Sequence, residues 1–346
     1  MTIFELVQSK AIASYWNEIT AGNPPFLGET LFPNRKKLGL DLSWIKGTKG
    51  LPVTLKLSSF DAKTMMRDRI GFSEVKTKMP FFKEGVYIDE ELRQELNKVL
   101  ESNNQAYIDA ILGQVFEDEV GLLRSAAVSR ERMRMQILTT GTVTMANNGQ
   151  EYSYDYGMAN NHKITLTSTA KWDDFANSDP INDLKTWADL IEDETGVRPT
   201  RALMNRTTFN YIVKNQKLAK NLYVISNGVG VITDAMVQRA VAELAGVTIA
   251  IYTKKYKNEA GQAVSYIADN VVSLFPEGEL GNTFFGTTPE ESDLMTSSVA
   301  NVSIVDTGVA ITTTKETDPV NVFTKVSQIS LPSCPEIDKI IVATVA

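Results

Sequence analysis

Residues 84–141 read EGVYIDEELRQELNKVLESNNQAYIDAILGQVFEDEVGLLRSAAVSRERMRMQILTTG. Leu92, Leu96, Val99, Leu100, Tyr107, Ile108, Ile111, Leu112, Val115, Phe116 and Leu123 keep the spacing of one helix face. Asp89 is the expected N-cap, and acids fill the first turn at Glu90, Glu91 and Glu95. Arg124, Arg130, Arg132 and Arg134 crowd the far end, where positive charge suits the helix dipole. A continuous helix to Ile137 would be about 75 Å long. Ser102-Asn103-Asn104 is where it would kink or divide. A helix of that length suits an elongated subunit better than a compact enzyme.

Upstream, Leu51, Val53, Leu55 and Leu57 alternate with polar residues, the pattern of a strand with one apolar face. A more polar run from Arg67 to Lys78 would be its partner. A two-stranded ribbon is marginal in water by itself, so this one needs a surface to lie on. Before it, residues 1–40 read as an arm. They hold a short amphipathic helix, expected over Glu5–Ile19, followed by Gly22, Pro24, Pro25, Gly28 and Pro33, which interrupt regular structure. Phe26, Leu27, Leu31 and Phe32 sit among these breakers, so the arm should pack on its own body or on a neighbour.

Downstream, strands are expected at 141–146, 151–156 and 163–169, with Asn147-Asn148-Gly149 as a hairpin turn. Residues 180–300 read as a separate α/β unit. Its helices are expected over 180–194, 207–215 and 234–245, with a short buried strand at 202–204. Its hairpin is expected to pair 247–252 with 264–268. The tail returns to strands at 309–314, 321–329 and 337–345. The class is therefore α+β.

Composition narrows the functions. The chain has 346 residues, 43% of them hydrophobic and 22% charged, enough for one large or two modest globular domains. A net charge of -7 argues against a protein that grips nucleic acid along its length. It does not argue against a container whose wall need not hold its polymer. No window has the run of about 18 apolar residues that a membrane span needs. The N-terminus carries no basic region followed by an apolar core, so no signal peptide is expected.

The residues that carry catalysis or bind cofactors are scarce. His162, the one histidine, lies in a polar turn entering a strand and is expected to have water or backbone partners. Cys334, the one cysteine, sits between Ser333 and Pro335, with no base nearby in sequence to activate it. Glu117-Asp118-Glu119, Asp173-Asp174 and Glu192-Asp193-Glu194 bring carboxylates together. Adjacent acids on a helix point in different directions, so these read as solvated faces or subunit contacts. Asn227-Gly228-Val229-Gly230 lacks the third glycine and preceding strand of a dinucleotide loop. No catalytic, metal or cofactor residue is assigned, and the chain is not expected to be an enzyme.

Several stretches resemble the capsid protein E family of lambda-like tailed phages. They are Lys78-Met79-Pro80, Glu84-Gly85-Val86-Tyr87-Ile88, residues 133–141 (MRMQILTTG), Asp155-Tyr156-Gly157, Thr200-Arg201-Ala202-Leu203-Met204-Asn205, Gly286-Thr287-Thr288-Pro289-Glu290 and Asp318-Pro319-Val320. Their order runs over nearly the whole chain and is more specific than any one of them.

The resemblance implies the Hong Kong 97 capsid fold. Residues 1–40 would be an N-terminal arm and 41–86 an extended loop lying on the next subunit. Residues 87–170 and 301–346 would form a peripheral domain with a long spine helix, and 171–300 an axial domain. It further implies a major capsid protein that assembles as hexamers and pentamers into an icosahedral shell. The shell would enclose a double-stranded DNA genome with at most weak, non-specific contact. A separate scaffolding protein, a portal and a decoration protein would be its partners, with assembly in the bacterial cytoplasm and the virion as destination. Some relatives cross-link subunits through a lysine and an asparagine, and Lys46, Lys49, Lys56 and Lys63 are the ribbon lysines available here. The alternatives are an encapsulin-like nanocompartment shell and, in a different class, a carboxylate-dependent hydrolase.

Overall fold

A computed structural model describes residues 7–46, 73–88, 105–147, 150–225, 232–296, 299–318 and 320–346, together with Glu90, Glu91, Gln94 and Lys98. In chain order, helices α1 (Ser9–Thr20) and α2 (Leu27–Leu31) precede strands β1 (Asn34–Lys36), β2 (Asp41–Lys46), β3 (Ser73–Lys78) and β4 (Phe81–Ile88). The long helix α3 (Gln105–Thr140) leads to β5 (Thr142–Asn147), β6 (Gln150–Asp155) and β7 (Lys163–Thr165). Then come α4 (Pro180–Thr195), β8 (Arg201–Met204), α5 (Arg206–Lys214), α6 (Gln216–Ile225) and α7 (Asp234–Ala245). Strands β9 (Thr248–Ile251), β10 (Lys255–Lys257), β11 (Ala263–Ser265), β12 (Val271–Phe275) and β13 (Asn282–Phe285) follow. The chain closes with β14 (Ala300–Val305), β15 (Val309–Lys315), β16 (Val322–Ser333) and β17 (Ile341–Thr344).

The chain divides into two compact units. The first comprises residues 1–43, 76–132 and 282–333. Its six-stranded sheet runs β1-β13-β16-β15-β14, with β4 also on β16. Strand β16 organises it. Over Val322–Gln328 it lies antiparallel between β15 and β4, and beyond that it passes to β13. Ile12, Trp16, Val120, Leu123, Ile311 and Val326 are among the buried residues of its core. Helix α1 therefore buries its apolar face against this chain's own sheet, where Ser9 Oγ lies 2.9 Å from Ser303 Oγ.

Gly286 in this unit has no room for a side chain. A Cβ there would stand 2.7 Å from the Gly39 carbonyl oxygen and 2.7 Å from Ile329 Cγ2. The backbone oxygen cannot swing aside, so Gly286→Val is expected to cost about 1–3 kcal/mol in urea unfolding. An unchanged midpoint would refute the close approach.

The second unit comprises residues 44–75, 133–281 and 334–346. Its five-stranded mixed sheet runs β7-β17-β12-β8-β9. Trp172, Leu184, Trp187, Phe209, Val241 and Leu274 are among the residues of its core. Capping fixes the helices on this sheet. Asp179 accepts from Asn182 N to start α4, and Gly196 at φ 72° ends it. Asn205 and Thr233 cap α5 and α7, and Gly246 at φ 71° ends α7.

Some expectations change. Strand β9 does not form a hairpin with 264–268. It runs parallel to β8, with Arg201 opposite Thr248, because the intervening helices act as a crossover. The hairpin is the shorter pair Lys255–Lys257 and Ala263–Ser265. Strand β17 reaches β12 and β7 from the far end of the chain. Residues 301–333 fall in the first unit and 334–346 in the second.

Helix α3 has 36 residues, about 54 Å at the usual rise, and ends where Gly141 turns left-handed at φ 72°. Glu90, Glu91, Gln94 and Lys98 are also helical. The expected break at 102–104 and the ribbon strand at 51–57 lie outside the described residues.

Candidate assembly interface

The site of a subunit that works by association is surface, and strand edges are its most reactive part. A strand paired on one side presents unsatisfied N–H and C=O groups that another chain can satisfy. Strand β4 has eight residues and, among the described residues, pairs on one side only. Phe81 and Tyr87 on it are exposed apolar groups. Tyr87 packs on Phe323 with ring centroids 4.5 Å apart. A Cβ on Gly85 would stand 2.5 Å from the Phe323 ring, so the glycine lets that ring lie over the strand. Leu38 and Leu40, between β1 and β2, are 84% and 48% exposed. Apolar groups this exposed favour association.

The ribbon is anchored at its base. Strands β2 and β3 pair, and Trp44 stacks on the buried Tyr156 at 5.3 Å. Asp155 Oδ1 accepts from Gly157 N at 2.7 Å, which sets the turn that presents Tyr156. Lys49, Lys56 and Lys63, raised as cross-linking candidates, lie outside the described residues, as does the Lys46 side chain.

The remaining resemblance-bearing residues serve as structural locks. Asn205 accepts from Thr208 N at 2.9 Å and donates to Asp269 Oδ1 at 2.5 Å. Arg201 donates to the carbonyls of Pro276 and Gly278. Glu290 is buried, accepts from Ser327 Oγ at 2.9 Å and pairs with Lys325 at 2.5 Å. Val320 N donates to Glu90 Oε1 at 2.9 Å.

The singled-out titratable residues are separated. His162 is not a solvated loop residue: it is 1% exposed, and its Nε2 lies 2.8 Å from Glu194 Oε2. The pairing carboxylate is 32 residues away in sequence, which local reading could not supply. Cys334 is buried, and burial pushes its thiol well above the ordinary range. Glu117 pairs with Arg124 at 3.0 Å, Glu192 with Arg198 at 2.5 Å, and Asp174 accepts from Ala176 N and Asn177 N. Glu119 is buried on α3, accepts from Thr324 Oγ1 at 2.7 Å, and is pushed up to about 8 by burial. Among the described residues no group of three His, Cys, Asp or Glu could hold a metal ion. Among them, too, no helix is long and apolar enough to cross a membrane.

The arginines do not mark the helix end. Helix α3 continues to Thr140, and Arg130 and Arg134 are buried. Arg130 donates to Gln328 Oε1 at 2.8 Å and to Asp306 Oδ2 at 2.7 Å, and lies 5.4 Å over the Phe285 ring. The dipole reading gives way to an internal clamp, since a buried guanidinium needs fixed acceptors.

No curated protein matches the chain. Among solved structures, a prophage capsid protein of E. coli CFT073 covers 98% of this chain and 99% of its own, at 16% identity and TM-score 0.61. A phage-related protein of Bordetella bronchiseptica RB50 covers 97% and 96%, at 16% identity and TM-score 0.56. The capsid of cyanophage A-1(L) covers 93% and 92%, at 11% identity and TM-score 0.51. These establish the α+β fold of phage capsid proteins, the Hong Kong 97 type. The model of one family, phage major capsid protein E, matches residues 8–345. With that match over nearly its whole length, the chain belongs to the phage major capsid protein E family, whose members build the shell of the virion.

Proposed function

We propose that the chain is the head protein of a tailed double-stranded DNA phage, assembling as hexamers and pentamers into an icosahedral shell around the genome. The family match over residues 8–345 is the observation that supports this most. The open edge of β4 and the exposed Leu38 and Leu40 supply surface for heterologous contacts that close into rings. We assign the unit built on β16 to the peripheral domain and the unit built on β12 to the axial domain, with β17 drawn into the latter. Residues 1–40 and 41–86 remain the arm and the extended loop.

The chain acts by binding, not by turnover. A separate scaffolding protein and a portal are its expected partners, and assembly takes place in the host cytoplasm. Contact with packaged DNA is weak, because Arg130 is engaged inside the protein and Arg124 by Glu117.

Phe81→Lys with Tyr87→Lys is expected to leave the subunit folded and to abolish shell formation, since lysines on an edge strand block pairing. Particles of normal yield by velocity sedimentation would remove β4 from the interface. The wider reading is tested on DNA-containing particles purified from the host. This chain is expected to be their most abundant polypeptide by mass spectrometry. Its absence from them, or its recovery in particles that hold an enzyme instead of DNA, would overturn it.

A further inference from the structure

Within the second unit, α4, α5, α6 and α7 surround an open groove of about 470 Å³. Its floor is apolar: Ile212 and Leu218 are buried, Ile181 is half-buried, and Leu244 stands 55% exposed at one side. Lys185, Lys217 and Lys220 line it, against one acid, Asp179. In a chain of net charge -7 this is a local reversal of sign.

Lys217 also faces Asp174 and Asp183, but the other two lysines are poorly compensated. Lys217 Nζ lies 3.8 Å from Asp179, a half-exposed pair that contributes little, and donates to the Asn177 carbonyl. Lys185 and Lys220 make no ion pair among the described residues. The acid one turn beyond Lys185, Asp189, is taken by Arg198 at 2.5 Å. Lys220 has no acid at three or four residues in either direction.

The groove is not a small-anion cradle. The amides at the start of α4 and α6 are already engaged, Asn182 N by Asp179 Oδ1 and Leu218 N by Asn215 Oδ1. Nor is it an enclosed small-molecule pocket, because it is open and charged where such sites are mostly apolar. What matches apolar floor and lysine rim together is a helix with one apolar face flanked by acids.

We propose that this groove docks an acidic amphipathic helix of a separate protein that co-assembles with the shell. The partner's role rests on the capsid reading, while the binding stands on charge complementarity between acid and lysine. A second copy of this chain fits less well. Several of its helix acids are engaged at home: Glu117 by Arg124, Asp189 and Glu192 by Arg198, Asp234 by Arg206 and Glu243 by Arg239.

The test is fluorescence anisotropy with the full chain and three labelled probes. They are an amphipathic helical peptide with glutamates flanking its apolar face, the same peptide with lysines there, and a short DNA duplex. The acidic peptide is expected to bind, more weakly at high salt. The Lys185→Glu, Lys220→Glu double variant, checked as folded by its melting curve, should lose about tenfold or more in affinity and turn to the basic peptide. Absence of acidic-peptide binding, affinity indifferent to the double variant, or preference for DNA would each overturn the proposal. So would a double variant that no longer forms shells by itself, which would give the groove to a second copy. Shell formation by the unaltered chain is scored separately, so the capsid reading stands or falls independently.

Discussion

Replacing Glu119 by glutamine is expected to stabilise the protein, and by more as pH rises. Glu119 is buried on α3 with one oxygen on Thr324 and the other without a partner. Thr313, opposite Thr324 in the β15–β16 register, also has a buried hydroxyl without a partner. Nothing there neutralises a carboxylate, and burial raises the group from 4.5 to about 8. Between those values the folded chain holds a proton that the unfolded chain releases. Stability therefore falls as pH climbs through the window, and the penalty is complete above about 8. Glutamine keeps an acceptor for Thr324 and has no proton to lose. The two proteins should be close at pH 4, diverge from about pH 4.5 upward, and reach the full difference, roughly 5 kcal/mol, above about pH 8. Urea midpoints of the dispersed subunit across pH measure it. Parallel pH profiles would show that Glu119 is not held neutral.

Arg130→Met is expected to destabilise the first unit by roughly 3–5 kcal/mol, the range for breaking one side of a buried ion pair. Partial exposure of Asp306 places the loss toward the lower figure. The guanidinium ties α3 to β16 through Gln328 and to the β14–β15 turn through Asp306. Asp306 holds a left-handed conformation at φ 50° and accepts from Trp16 Nε1 at 3.1 Å as well. One side chain thus joins helix α1, helix α3 and two strands of the sheet. Methionine would fill the space beside Phe285 but take the Arg130 donor from Asp306 Oδ2 and from the Gln328 amide oxygen, leaving Asp306 only its bond from Trp16. Chemical unfolding followed by tryptophan fluorescence measures the loss. A cost under about 1 kcal/mol would mean that the clamp is not what holds α1 in place.

Local signals carried much of this fold into the sequence. Helices α4, α5 and α7 form within a residue of the ranges expected, and the caps that bound them, Asp179, Asn205, Thr233, Gly196 and Gly246, are local in sequence. What was hidden is long-range. Strand β12, VVSLF, is too short and uniformly apolar for periodicity to type. Strand β17 joins β12 across a separation in sequence that only folding closes. The arginines of α3 looked like a dipole-matched terminus because the acceptor Asp306 lies 176 residues from Arg130. His162 looked solvated for the same reason. At the candidate interface, Phe81 and Tyr87 were not singled out in the sequence, because only the pairing of β4 with β16 reveals that the strand has an open side.

Negative-stain electron microscopy of the purified chain, expressed alone and together with its neighbouring small genes, tests the central claim most directly. Closed shells, or hexamer and pentamer rings, are the expected result, and dependence on a neighbouring gene would identify the scaffold. A uniform monomer or small dimer under both conditions would contradict the account.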